Sequence, residues 1–467
     1  MNSVFPTPAP SSAAAATAPG PKSWSVGTLT YNRRQLVWLF FWILLADFTL
    51  TLMESVMPSL LPLSLKEIGA SNTIIGLTVT ISSAMNMVLN PVISTASDRH
   101  RGPRGRRLPF LLWPTPFVAL FLVLTGFSPQ IGAWLHRQLP AGWGLSAYAV
   151  TLTVMFTCMV LFQACNLFVN CVYWYIFADL VPHALMGRFL ALLRIIGQFA
   201  SFVWGAYIFG LADRYMPWIY LGGGVVYATS FLLFCWRVRE GEYPPPPPRA
   251  GHGPGWMAWV QDYFQSCVNA PLWRWIILAV VAFQVAQISN LYWVFFGRDT
   301  LGCSLDVIGK IAGWGSLISI PLVIVLGWLV DRLGPARMVL AGAVFSCAVA
   351  AASFFSIHGA SSLIACGILA VVGVVWVQAA MMPMYIQFFP AARYGQFCSA
   401  VNMLGMLAVM LFSVLLGALI DWLGDYRWLL VWRAAGWAVM IPAVARACVL
   451  YRRHGGPAHY VPPTGPA

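Results

Sequence analysis

The sequence predicts an all-α integral membrane protein in which twelve transmembrane helices form two six-helix halves. Hydrophobic residues make up 60% of the 467-residue chain and charged residues only 9%, whereas about a quarter of the residues of a soluble domain are charged. About twelve apolar runs are each long enough, at roughly 20 residues, to cross a bilayer as a helix. Landmarks of the first half also recur in the second. Together these observations exclude an ordinary soluble enzyme.

Each apolar run gives the centre of one predicted helix. The centres lie near Leu45, Ser83, Ala119, Cys158, Ala200, Thr229, Phe283, Ile320, Val344, Val372, Met410 and Trp437. They predict a disordered cytoplasmic tail at 1–34, a six-helix bundle at 35–236, a cytoplasmic linker at 237–273, a second bundle at 274–450 and a cytoplasmic tail at 451–467. The first residues are rich in Ala, Pro and Ser and lack an apolar core, so we expect no signal peptide there.

The net charge of +13 is distributed around the predicted helices, which argues against a nucleic-acid partner. With a cytoplasmic N-terminus, the inner loops and tails carry most of the basic residues: Arg99, Arg101, Arg104, Arg106, Arg107, Arg237, Arg239, Arg332, Arg337, Arg393, Arg452 and Arg453. The outer side carries fewer, such as Lys66, Arg137, Arg214, Arg298 and Arg427. This positive-inside bias predicts a multi-pass protein of the plasma membrane, the inner membrane of a bacterial cell, with both termini in the cytoplasm.

Turn and loop motifs repeat between the two halves. Gly69 and Gly302 are 233 residues apart, and so are the two Asp-Arg pairs that follow the second and eighth helices. A third pair of motifs, at 182–189 and 390–397, has an offset of 208 residues. The longer outer link at 128–146 accounts for the difference. Two repeated halves predict a binding site between them, near the middle of the membrane.

The linker between the halves contains two features. Pro244–Pro248 is a stiff polyproline spacer. Apolar residues at helical spacing follow it at 256–267, which predicts a short helix on the inner membrane surface. This helix is either a simple tether or a regulatory element, and the sequence does not distinguish the two roles.

Two acids lie deep in the first apolar run. Of the fourteen acidic residues, Asp47 and Glu54 alone have this placement, where a charge costs roughly 2.5–3.5 kcal/mol. Seven residues apart, they lie about two helical turns and ~10 Å from each other on one face. We interpret them as the coupling site of a transporter, since a buried carboxylate can bind and release a proton. Sodium is the other candidate ion, with Thr49, Thr51 or Ser55 as neighbouring ligands.

Arg194, about two turns into the fifth helix, is the third member of the predicted coupling group. We expect it to form an ion pair with one of the two acids or with Asp179. The repeat register sets Glu54 against Gln287 and Arg194 against Asn402. This asymmetry predicts cation coupling in the first half and neutral hydrogen bonding in the second.

Amide and aromatic side chains predict the substrate site. The candidates are Gln163, Asn166, Asn170 and Trp174 of the fourth helix, Gln284, Gln287 and Asn290 of the seventh, and Gln378, which the register sets against Asn170. Amides donate to and accept from hydroxyl groups, and aromatic rings cover the C–H face of a sugar. This set favours a polyhydroxylated substrate. Hydrogen bonding between helices is the simpler role open to these amides, above all Gln163 and Gln284.

The loop Asn90–Arg99, followed by Gly105–Phe110, resembles the signature between the second and third helices of the major facilitator superfamily. Its SDR and GRR-x-PF elements are most like those of the glycoside/pentoside/hexuronide cation symporters and the related sucrose transporters. Gly327–Gly334 resembles a degenerate second copy. Ser94 departs from the signature, which prefers Gly, but is still small enough for close helix approach. The resemblance covers most of the chain as architecture but only about 20 residues as motif.

The resemblance implies the major facilitator fold, alternating access, and a cavity lined by the first, fourth, seventh and tenth helices. It also implies a cytoplasmic gate in which Asp98 meets the helix after Gly395 and Asp331 meets the helix after Gly187. The gating candidates are Asp98, Arg99, Arg107, Asp331 and Arg332. The alternative role of these charges is only to set the orientation of the helices in the membrane.

The sequence therefore predicts a monomeric secondary transporter that couples a proton, or else sodium, to the uptake of a sugar or glycoside. We expect the lipid bilayer and the small-molecule substrate as its partners, with no cofactor, resident metal or nucleic acid. An exporter of amphipathic or cationic compounds and a non-transporting sensor on the same fold are the alternatives. An enzyme is disfavoured, since the sequence offers no catalytic or metal-binding cluster.

Overall fold

A computed structural model describes residues 24–26, 28–140, 144–241, 267–390 and 393–463. Its β-strands are β1 (Trp24–Val26) and β2 (Leu29–Tyr31). The helices of the first half are α1 (Arg33–Glu67), α2 (Asn72–Arg99), α3 (Leu108–Leu112), α4 (Pro114–Gly126), α5 (Ser128–Gln138), α6 (Ala147–Leu180), α7 (Met186–Val203) and α8 (Ala212–Arg237). Those of the second are α9 (Pro271–Gln287), α10 (Trp293–Phe295), α11 (Leu305–Leu333), α12 (Pro335–Ser356), α13 (Ala360–Phe388), α14 (Tyr394–Leu423), α15 (Trp428–Arg453) and α16 (Gly456–His459).

Eleven helical segments of the described chain are long and apolar enough to span a membrane. One of them, His183–Arg237, has 55 residues, which at 1.5 Å per residue is over twice the ~30 Å hydrocarbon thickness. The backbone leaves the helical conformation inside it at Tyr215 (φ −126°, ψ 23°), and both α7 and α8 pack against α1. The segment therefore contains two spans. The total of twelve confirms the predicted fold class.

The described residues 24–26 and 28–31 differ from the disordered tail that was expected at 1–34. Strands β1 and β2 pair antiparallel, with Trp24 opposite Tyr31. Trp24, Leu29 and Tyr31 pack against the core of the first half, which gives the hairpin an apolar anchor. The predicted linker helix and the proline run lie outside the described residues, except for Cys267. Below, the side from which α1 starts is called the tail side, and the opposite side the far side.

The predicted repeat register agrees with the helix boundaries. Ser71 and Ser304, 233 residues apart, each cap the N-terminus of the following helix by accepting a hydrogen bond from a backbone N–H of its first turn. The preceding Gly69 and Gly302 both have positive φ, at 88° and 65°, a conformation that glycine adopts without strain. The 208-residue offset likewise relates the first residue of α7 to that of α14.

The halves meet closely at the far side. Gly205, at the far end of the fifth span, packs so tightly on α11 that a Cβ atom would come within 2.6 Å of the Gly309 carbonyl oxygen. Thr80 of α2 donates to the Met410 carbonyl of α14 (2.7 Å). One cluster of buried apolar residues runs through the first half and crosses here to the second. A second cluster lies wholly between Cys267 and Tyr451.

Candidate functional site

A cavity lies between the two halves, formed by three adjoining pockets of about 440, 400 and 470 Å³. Pro58 lines all three, and Leu291 links the first to the second. The polar side chains of the first pocket are Glu54, Thr78, Ser82, Ser83, Asn86, Gln163, Asn166 and Asn170. We call this surface the first-half wall. The second-half wall consists of Gln284, Gln287, Asn290, Trp293 and Arg433.

The first-half wall holds an acid bound to an amide. Asn170 Nδ2 donates a hydrogen bond to Glu54 Oε1 across the gap between α6 and α1. One turn along α6, Asn166 is buried, and its Oδ1 accepts no hydrogen bond from any described residue. Gln163 continues the same face. The wall therefore presents one carboxylate and one unsatisfied carbonyl oxygen.

The local sequence of α1 explains why this wall is polar. Pro58 and Pro62 lie inside the helix and face the cavity. A proline has no N–H, so it leaves the carbonyl four residues earlier without its helical partner. Those carbonyls belong to Glu54 and to Pro58 itself. Helix α1 thus adds free backbone acceptors next to the Glu54 side chain.

Asp47 lies on the same helix but outside the cavity wall. It is only 4% exposed, and a Cβ atom on Gly197 of α7 would be 3.8 Å from its Oδ2. Arg194, one turn from Gly197, is within electrostatic range of Asp47. The expectation that both acids face one interior is therefore wrong, because packing of α7 against α1 encloses Asp47. Glu54, two turns on, faces the cavity instead.

Asp179 is not a partner of Arg194. Its carboxylate binds Arg106 Nη2 at 2.7 Å and Arg107 Nε at 2.5 Å. The sequence left this option open because charge and position alone do not select among several arginines. The loop after α2 brings two of them, Arg106 and Arg107, to the tail end of α6.

The seventh span supplies the second-half wall. After α9 ends at Gln287, residues Ile288–Tyr292 form a 3₁₀ turn before α10. Gln287 Oε1 is buried and accepts no hydrogen bond within the described chain. Gln284 and Asn290 line the same pocket. Like the Asn166 oxygen of the first-half wall, the Gln287 oxygen is a buried acceptor without a partner among the described residues.

Arg433 of α15 was not among the sequence-derived candidates. It is 6% exposed, donates to Ser289 Oγ (2.8 Å) and Asn290 Oδ1, and lies 5.2 Å from the centre of the Trp293 ring. The available signal was a single arginine one and a half turns into the last apolar run. To interpret this arginine, one must know that its face of α15 points to the seventh span rather than to lipid or a loop.

Two predicted substrate residues lie apart from the cavity. Trp174 is 52% exposed and contacts Tyr173 and Phe177. Gln378 is also exposed and does not line any of the three pockets. Helical spacing extended the cavity-facing row of α6 too far towards the tail side at Trp174. The repeat register, which set Gln378 against Asn170, selected a residue of α13 that lies away from the three pockets.

The predicted gate residues lie at the tail side. Asp98 reaches Arg107 at 3.4 Å within its own half. Glu240 accepts hydrogen bonds from the backbone N–H groups of Arg106 and Arg107 (both 2.9 Å) and of Leu108. It therefore caps α3, a role that the sequence analysis missed.

In the second half of the chain, the guanidinium of Arg332 lies 3.9 Å from the centre of the Trp328 ring. Asp331 and Arg99 form no ion pair with any described residue. Apart from the adjacent backbone of their own helices, no described atom lies within 4 Å of a Cβ placed on Gly187 or Gly395. Among the described residues, no predicted gate contact joins the tail ends of the halves, so the described part of the cavity is open towards that side.

Comparison with known proteins identifies the fold. Residues 288–466 match the Major Facilitator Superfamily model, whose members are transporters rather than enzymes. No curated protein sequence matches the chain.

Three solved structures illustrate the similarity. A bacterial homologue of the iron transporter ferroportin in the inward-facing state has a TM-score of 0.67 and 15% identity, covering 88% of this chain and 99% of that chain. The nucleoside transporter NupG has a TM-score of 0.63 and 12% identity, covering 88% and 98%. A bacterial homologue of the human lysosomal transporter Spinster, inward-facing and unoccupied, has a TM-score of 0.60 and 12% identity, covering 90% and 96%.

The ferroportin homologue is also known in an outward-facing state, for which the TM-score is 0.54. At these identities the likeness shows the fold alone, and it gives no support to the narrower group of sugar–cation symporters. The family match over residues 288–466 and the likeness of the described chain to these structures together show an integral multi-pass membrane protein with the major facilitator fold.

Proposed function

We propose that the protein is a secondary active transporter that couples entry of a proton to uptake of a sugar or glycoside by alternating access. The observation that carries this proposal is the Glu54–Asn170 hydrogen bond in the cavity wall. A carboxylate held by one amide can take a proton from water in the cavity, and protonation converts its other oxygen, Oε2, from an acceptor into a donor while Oε1 still accepts from Asn170. Proton binding therefore changes the groups that the wall presents to a substrate.

The two unmet carbonyl oxygens support a hydroxyl-rich substrate. Asn166 Oδ1 and Gln287 Oε1 belong to opposite walls and are both buried. A buried acceptor without a partner costs about 1–3 kcal/mol, and a sugar hydroxyl that donates to it removes that cost. One ligand that satisfies both oxygens also bridges the two halves. Such bridging favours closure around the substrate.

Asp47 and Arg194 support coupling from behind the wall. We assign Glu54 as the group that exchanges a proton with the cavity, and Asp47 as a neighbouring acid whose charge Arg194 offsets. The Glu54 and Asp47 carboxylates interact electrostatically. A charge gained or lost on one therefore changes the free energy of ionising the other.

Orientation follows from the basic residues. The tail side carries the arginine-rich loops, so we assign it to the cytoplasm. On this assignment the cavity faces inward. That agrees with the higher TM-score to the inward-facing ferroportin homologue than to its outward-facing state.

An exporter of cationic compounds is the second candidate, because Glu54 would also suit a cation. Arg433 in the opposite wall disfavours it, since a buried guanidinium repels a cationic substrate. A non-transporting sensor would bind substrate without flux.

The test measures external pH in energy-depleted cells on addition of mono-, di- and oligosaccharides. Wild type should alkalinise the medium with at least one sugar, and Glu54→Gln should abolish this response while exchange of bound substrate persists. Glu67→Gln is the matched control, because Glu67 ends the same helix outside the cavity and is exposed. Proton-driven accumulation that survives in Glu54→Gln contradicts the assignment.

A further inference from the structure

We propose that Arg433 forms an anion-binding subsite in the second-half wall, which takes a carboxylate or phosphate group carried by the substrate. The proposal deepens the proposed function and rests on it, because it narrows the substrate to a sugar derivative with an anionic group. It concerns a residue that the coupling mechanism does not use.

The first argument is the missing counter-charge. Arg433 is 6% exposed, and no carboxylate of the described chain forms an ion pair with it. The described acids of the second half all lie at helix ends or in turns: Asp299, Asp306, Asp331, Asp421 and Asp425. A buried charge is costly unless it is paired. A bound anion supplies the counter-charge that the protein lacks.

The second argument is the geometry of the guanidinium. Its Nε donates to Ser289 Oγ and its Nη2 to Asn290 Oδ1, while Nη1 donates to no described residue. The centre of the Trp293 ring lies 5.2 Å from the guanidinium carbon, in position for a cation–π contact. An anion that displaces the Asn290 oxygen accepts hydrogen bonds from both terminal amino groups, Nη1 and Nη2. This planar fork matches the two oxygens of a carboxylate or phosphate.

The third argument is access. Arg433, Asn290 and Trp293 line one pocket of the cavity. Asn290 and Gln287 also line the adjoining pocket. An anionic group at Arg433 therefore leaves the hydroxyls of the same ligand within the cavity, near the unmet Gln287 oxygen. The subsite and the hydroxyl-binding surface form one continuous wall.

A structural role for Arg433 predicts something different. If the guanidinium only fixes Ser289 and Asn290 at the 3₁₀ turn, its removal should weaken binding of neutral and anionic sugars by the same factor. An anion subsite changes the ratio of the two affinities. That ratio is therefore the quantity to measure.

The experiment uses the purified full-length chain in lipid nanodiscs and isothermal titration calorimetry. The probes are glucose, glucuronate and glucose 6-phosphate, with the corresponding galactose series. Wild type should bind a carboxylate or phosphate probe at least tenfold more tightly than its neutral parent, and the two anionic arms separate the carboxylate from the phosphate source. Arg433→Gln should reduce this ratio to about one. Arg433→Lys should keep part of it, since it retains the charge but loses the fork.

Arg446→Gln is the matched control, because it removes an exposed arginine from the same helix and should leave the ratio unchanged. Should Arg433→Gln fail to fold, Asn290→Asp carries the test, since a carboxylate beside the guanidinium neutralises it in place. An unchanged ratio in Asn290→Asp or Arg433→Gln overturns the proposal. So does a wild-type ratio of one, or no binding of any probe.

The outcomes also separate this proposal from the proposed function. Neutral sugars that drive proton uptake with no preference for anionic forms would leave the transporter assignment standing without the subsite. Anionic probes that bind through Arg433 but move no protons would support the subsite and contradict proton symport.

Discussion

Helices α2 and α14 run antiparallel through the bundle. They are joined by hydrogen bonds at the far end and not at the tail end of the described chain. At the far end, Asp421 of α14 accepts hydrogen bonds from the backbone N–H groups of Asn72 (2.9 Å) and Thr73 (2.8 Å) at the start of α2. The side chains of the same two residues add bonds of 2.8 and 2.7 Å. At the tail end, Asp98 of α2 pairs with Arg107 of its own half, and no described residue of the first half packs on Gly395 at the start of α14.

The same pair of helices carries matching parts at both ends with the roles exchanged. At the far end, the acid is on α14 and the helix N-terminus that it binds is on α2. At the tail end, the acid is on α2 and the helix N-terminus is on α14. A carboxylate is stabilised at a helix N-terminus. We infer that the two contacts are alternatives, and that closing one end of the cavity accompanies opening of the other.

The largest expected effect comes from blocking the far-end contact. A Cβ on Gly417 would collide with the backbone of Asn72, so Gly417→Leu should destabilise the far-closed state by about 3 kcal/mol, or more than 100-fold. Spin labels at Ser71 and Trp422, in a background without native cysteines, should then be farther apart, as measured by pulsed electron paramagnetic resonance. Gly327→Leu is the control, because no described atom lies near Gly327. An unchanged distance in Gly417→Leu would refute close packing at this end.

Asp421→Asn should shift the same equilibrium less. The substitution removes a charge-assisted set of bonds at an exposed site, which we estimate at about 1.5 kcal/mol, or tenfold towards the far-open state. The same label pair reports the population. Asp213→Asn, an exposed acid at the start of α8 on the same side, should have no effect. Equal shifts in both variants would mean that net charge, rather than the contact with α2, sets the equilibrium.

Tyr292→Phe tests the buried part of the far-end contact. The Tyr292 hydroxyl is enclosed and donates to the Asn72 carbonyl of the other half (2.9 Å). Its loss should cost about 1 kcal/mol, a shift of roughly fivefold towards the far-open state. Because Tyr292 is not charged, the effect should persist at high salt, whereas that of Asp421→Asn should decrease. Salt dependence of both would contradict this division.

Asp98→Asn should act in the opposite direction and most weakly. It removes the acid that we assign to the tail-end contact, so it should favour the tail-open state by about twofold, as expected for an exposed pair. Labels at Ala96 and Ser399 measure the tail-end distance with substrate bound. A matched change in Arg107→Gln would trace the effect to the ion pair within the first half rather than to α14.

The sequence predicted some of the site because helical spacing fixes which residues share a face. Asn166 and Gln287 were selected in this way, and both line the cavity. Helical spacing does not predict the surroundings of a side chain where another helix packs over it. Asp47 and Glu54 share a face of α1, yet α7 covers one and leaves the other open. Arg433 gave no periodic signal, because its meaning depends on the 3₁₀ turn of a span that lies about 140 residues earlier.

The sequence by itself determined the number of spans, the repeat register and most of the amide side chains of the cavity walls. These depend on local hydrophobicity and on caps such as Ser71 and Ser304, which act within one turn of their own residue. Only the tertiary structure decided which acid reaches the cavity, which arginine binds Asp179 and which end of the bundle is closed. Those outcomes depend on contacts between helices that are distant in sequence, and several pairings of similar charge and spacing are equally compatible with the chain.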